Sequence, residues 1–119
     1  MSQFISLQDA VTMTTNYRNI REQILKSRYQ YQNILCICET FDRSAFDRLL
    51  SHPDCASIRI YYGMNQELEV HAIIVAADAA GNDILDPTDT NLDEEDEYPI
   101  VESGVRCPEI CPPVSDLNS

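Results

Sequence analysis

The strongest constraint on the fold is a pair of adjacent extended patterns. Ser57, Ile58, Arg59, Ile60, Tyr61 and Tyr62 alternate between the two faces of a strand, and a second run from Leu68 to Ala77 is built almost wholly of β formers and small apolar residues. Gly63, Met64, Asn65 and Gln66 separate the two, so the chain is expected to turn back on itself as an antiparallel hairpin. The alternation puts Ile58, Ile60 and Tyr62 on one face, which is expected to be core, and sends Tyr61 to the other. Asp78, Ala79, Ala80, Gly81 and Asn82 read as another turn, after which Ile84 and Leu85 can begin a short returning strand.

Helical patterns precede the hairpin. Ser6 followed by Asp9 resembles a capping box, and Leu7, Ala10, Thr14, Tyr17, Ile20 and Ile24 recur at three- and four-residue spacing, as one long amphipathic helix requires. Ile34 to Cys38 is apolar at every position and too short for a helix, so it is expected to be a buried central strand. Asp42 can cap a second helix, with Phe41 and Phe46 stapling its start; that helix stops at His52, which the ring of Pro53 drives out of the helical region. The expected fold is therefore α+β: two helices packed on a small, mainly antiparallel sheet, with an irregular acidic and Pro-rich C-terminal segment. Residues 1–85 are expected to form the core domain, and residues 86–119 an acidic loop followed by a Cys/Pro-rich strap.

Charge separates the same two parts. The total is −12, but residues 1–82 carry seven basic and nine acidic side chains, whereas residues 83–119 carry Arg106 against eleven acids. The first part is nearly neutral at −2, and the second holds the remaining −10. Binding to phosphate needs clustered Lys and Arg, so neither nucleic acid nor an anionic membrane is an expected partner. A protein with a basic surface is, because opposite charge steers encounter. Asp93, Glu94, Glu95, Asp96 and Glu97, with Tyr61 as an aromatic anchor, are the expected partner-binding residues.

Three blocks stand out: Leu50, Pro53, Cys55, Ile58, Arg59, Ile60, Tyr61, Tyr62 and Gly63; then Val75, Asp78, Gly81, Asn82 and Asp83; then Cys107, Pro108 and Cys111. Together they resemble a group of small uncharacterised bacterial proteins with no known activity. The Ile-Arg-Ile-Tyr strand and the Cys-Pro-x-x-Cys ending carry the likeness, which spans about half of the chain.

The five cysteines form an odd set and no export signal is evident, so the thiols are expected to be reduced and the protein cytoplasmic. Cys107 and Cys111, four positions apart in a proline-rich bend, could bring two thiolates to one zinc ion, with Cys55 first among Cys55, Cys36, Cys38 and His71 as further ligands. Catalytic chemistry finds less support. Cys55 with His52 or His71 is the only nucleophile and base couple on offer, and nothing in the spacing supplies an oxyanion donor. Three glycines form no phosphate cradle, and the carboxylates after Asp83 lack the glycine and closing position of a calcium loop. No catalytic residue or cofactor is assigned. The expected function is non-catalytic: a small intracellular binding or adaptor protein engaging a protein partner, of which an inhibitor or immunity protein would be one type. The alternative is a cysteine-based zinc-binding module with a regulatory or structural role.

Overall fold

A computed structural model describes residues 3–86 and 98–119. The elements run α1 (Leu7–Ile20), a single 3-10 turn (Ser27–Tyr29), β1 (Cys38–Thr40), α2 (Arg43–Leu50), β2 (Ser57–Met64), β3 (Val70–Ala77), β4 (Asp83–Ile84), β5 (Ile100–Val101) and β6 (Val105–Cys107). The fold is α+β with a mainly antiparallel sheet. The chain divides into two compact units, Glu39–Val105 and the discontinuous pair Met1–Cys38 with Arg106–Ser119.

In the Glu39–Val105 unit the hairpin forms as its alternation predicts. β2 and β3 pair in continuous register from Ser57 opposite Ala77 to Met64 opposite Val70. The far side of β3 pairs antiparallel with β4, Ala76 opposite Ile84, and with β5, Ile74 opposite Val101. β3 is therefore interior and β2 is an edge strand. Helix α2 covers one end of one face. Leu49, Ile74, Ala76 and Ile84 are buried there, ringed by Phe41, Phe46, Cys55, Ile58, Ala72 and Val101. The expected staple is present, with the rings of Phe41 and Phe46 edge to face at 6.1 Å.

The other unit is held together largely by side chains reaching backbone carbonyls. Ser6 caps α1 by accepting from the Asp9 N–H at 3.0 Å. The helix stops at Ile20, one turn short of the expected stripe, and Leu7, Ile20 and Ile24 are exposed. The expected central strand is also absent: of residues 34–38 only Cys38 enters a strand. Tyr31 and Asn33 have positive φ, which interrupts an extended run. The carbonyls that follow are taken by side chains instead of a strand. Arg106 donates to Asn33 and Ile34, Arg21 to Leu35, and Tyr17 to Cys36. Arg18 donates to the carbonyls of Leu117 and Ser119, tying the C-terminus to α1. No helix of the described residues is long and apolar enough to cross a membrane.

Candidate binding surface on the hairpin

The two faces of the hairpin differ in what they present. Cross-strand partners share a face, so Ile58, Ile60, Tyr62 and Met64 lie with Ala76, Ile74, Ala72 and Val70. Only the Ile58 end reaches the core under α2. Beyond it Ile60 is 50% exposed, Tyr62 80% and Met64 59%. The expectation that Ile58, Ile60 and Tyr62 share a face is met, but their joint burial is not: the eight-residue α2 is too short to cover the full length of an eight-residue strand. Three adjacent large apolar side chains are left facing solvent.

The opposite face is polar at both ends. Asp83, on β4, accepts hydrogen bonds from the Arg59 guanidinium and the Tyr61 hydroxyl, and Arg59 also donates to the Gly81 carbonyl at 2.9 Å. Donation by Tyr61, then by Arg59, holds the Asp83 carboxyl below the usual carboxylate value, and the same carboxylate raises the Tyr61 phenol above its ordinary one. The next turn is built similarly. The Asp78 carboxylate accepts the Ala80 and Asn82 N–H groups, which lowers its pKa, and Gly81 supplies the positive φ.

At the hairpin tip the Asn65 carbonyl oxygen accepts the N–H groups of Glu67 and Glu69 at 2.9 and 3.0 Å. That fixes the amide, so its NH2 group faces the Glu69 carboxylate at 3.0 Å and His71 Nε2 at 3.3 Å. His71 Nδ1 faces Glu39 at 3.5 Å and Glu102 at 3.8 Å. The other oxygen of Glu39 accepts the Ala72 N–H at 2.8 Å, while Ser103 donates to Glu102 and lowers its pKa. Beside this group Gly63, Met64, Asn65, His71, Ile73 and Glu102 line a shallow cavity of about 300 Å³. Among the described residues no group of three His, Cys, Asp or Glu side chains is arranged to hold a metal ion.

The predicted site residues are distributed as follows. Tyr61 lies on the polar face, half exposed, with its hydroxyl engaged by Asp83. Asp93, Glu94, Glu95, Asp96 and Glu97 lie outside the described residues. Cys55 is half-buried against the Leu49 cluster, its thiol 3.5 Å from the Ser57 carbonyl. Cys107 and Cys111, expected as reduced thiols, form a disulfide. The bend between them brings their Cα atoms to 4.6 Å, within the range a disulfide spans, and neither sulfur is a thiolate in that state. Cys36, Cys38 and Cys55 are free. The exposed row and the Asn65, Glu39 and Glu102 setting of His71 were not anticipated. Asn65 did carry a signal, because Asn in a hairpin turn readily accepts from the backbone two residues on. The approach of Glu39 to a residue 32 positions away carried none.

No protein-family model, curated protein or solved structure matches the chain.

Proposed function

We propose that this protein is a non-catalytic binding module that engages a partner protein with a basic surface. The observation that carries the reading is the row of Ile60, Tyr62 and Met64, half or more exposed beside one another on an ordered strand. A hydrophobic anchor of this type gains its energy when a partner excludes water from it, and aromatic residues are enriched in such anchors. The net charge of −12 supplies the complementary selectivity, drawing cationic partners and repelling anionic ones.

Affinity capture from the native cell tests the proposal with three forms of the protein. The wild type should retain a basic partner, and rising salt should slow association more than it speeds dissociation. Ile60→Ser with Tyr62→Ser should lose the partner at any salt concentration. Replacing Asp93, Glu94, Glu95, Asp96 and Glu97 by Ser and Asn should mimic high salt in the wild type. Equal recovery of the same partners by all three forms would remove the basis for this reading.

A further inference from the structure

The row of exposed side chains sits on a strand whose outer edge is joined by no other strand of the described residues. Asn65 N–H to Glu69 carbonyl, at the head of the hairpin, sets the phase of the β2–β3 ladder. Odd-numbered residues of β2 bond to β3, so the N–H and C=O groups of Ile58, Ile60 and Tyr62 point away from the sheet. Among the described residues no strand pairs with that edge. Sheet proteins ordinarily protect such an edge with a proline, a bulge or an outward lysine. β2 has no proline, keeps its register through Gly63, and carries one charged residue, Arg59, already bonded to Asp83. Charge reappears only at its two ends, where Asp54 precedes the strand by three residues and Glu67 follows it by three, both exposed.

We propose that β2 receives, by strand addition along its outer edge, an extended segment of the partner protein that is apolar in its middle and carries Lys or Arg at both ends. The inference rests on the binding reading above and specifies its mode. Backbone groups of Ile58, Ile60 and Tyr62 supply the ladder, while the side chains of Ile60 and Tyr62 meet alternate side chains of the incoming segment. Asp54 and Glu67 select its basic ends. A second copy of this chain is a poorer occupant. Two β2 edges related by a two-fold axis run antiparallel, which sets the Asp54 end of one against the Glu67 end of the other.

The test uses the full-length, isotope-labelled protein and a synthetic peptide of about ten residues, alternating Val and Thr between paired lysines at each end. Two control peptides carry either glutamates in place of the lysines or N-methyl groups on alternate residues of one edge. The blocking groups sit on the peptide, so folding of the protein is not at stake. Adding the lysine peptide should slow amide exchange at Ile60 and Tyr62 by about tenfold or more, and leave Tyr61, already bonded to β3, unchanged. The glutamate and N-methyl peptides should bind at least about tenfold more weakly. Binding without protection of Ile60 and Tyr62, or equal binding of the N-methyl peptide, would overturn strand addition. Concentration-dependent protection of those amides without peptide would assign the edge to a second copy and overturn the proposal equally. If no peptide binds, strand addition fails, while cellular capture still judges the wider reading separately.

Discussion

Ile60 and Ile74 provide an internally controlled experiment. They are directly opposed on β2 and β3, share one sheet face and have identical side chains, yet Ile60 is 50% exposed and Ile74 2%. Truncating Ile to Ala removes three carbons, or about 2.4 kcal/mol of transfer free energy when the side chain is fully buried, at about 0.8 kcal/mol per carbon. At Ile74 a cavity beside Leu49 and Ala76 adds to that loss, so Ile74→Ala should cost about 3–4 kcal/mol. At Ile60 half of the surface is already wet and no closed cavity can form, so Ile60→Ala should cost about 1 kcal/mol. Urea unfolding followed by circular dichroism measures both; with a slope of roughly 1–2 kcal/mol/M, the two midpoints should differ by about 1 M or more. Equal losses would mean that the outer half of the face is covered in solution, and the binding row would have to be reconsidered. Ile60→Asp, which a core strand could not tolerate, should on the same reasoning leave the protein folded.

Gly104→Ala should destabilise by about 1–3 kcal/mol, because an added Cβ would stand 2.6 Å from Phe41 Cζ and 2.8 Å from Glu39 Oε2. Gly63→Ala meets only the flexible end of Ile73 and should melt measurably higher than Gly104→Ala; coincident melting curves would contradict the packing at Gly104. Asp83→Asn concerns pH. The folded pKa of Asp83 is depressed from 3.8, so its contribution is fully present above that value and is lost as pH falls through the lower, folded one. The stability gap between wild type and Asp83→Asn should therefore be constant near neutrality and close in acid; a gap that widens below pH 4 would reverse the sign of the argument.

The parts of the fold legible in the sequence are those governed by neighbours along the chain. The β2–β3 hairpin, the Asp78–Asn82 turn, the Ser6 cap and the Phe41–Phe46 staple each depend on residues a few positions apart, and each formed where the pattern placed it. Ile34 to Cys38 had the composition of a central strand. Its backbone acceptors were claimed by Arg21, Tyr17 and Arg106, and the last lies more than seventy positions away. Hydrophobicity could not announce that competition. The binding surface divides in the same way: alternation correctly grouped Ile58, Ile60 and Tyr62, but which of them α2 would cover depended on where the helix ended. Tyr61 was legible as a residue of the opposite face, whereas its bond to Asp83 required β4 to come alongside β3.

The outer edge of β2 also bears on how the protein behaves in the absence of any partner. An apolar strand whose outer ladder positions pair with no strand of the described residues is a template for stacking copies of itself, and here mutual repulsion between molecules of charge −12 opposes that stacking. Repulsion across solvent is screened within about 8 Å at physiological ionic strength and within about 3 Å at 1 M salt, whereas the apolar row is indifferent to that screening. Colloidal stability and partner recognition therefore draw on the same electrostatic field. Concentrated salt, or a pH near the sequence isoelectric point of 4.2, silences both together, so the unliganded protein is best kept in dilute, neutral buffer.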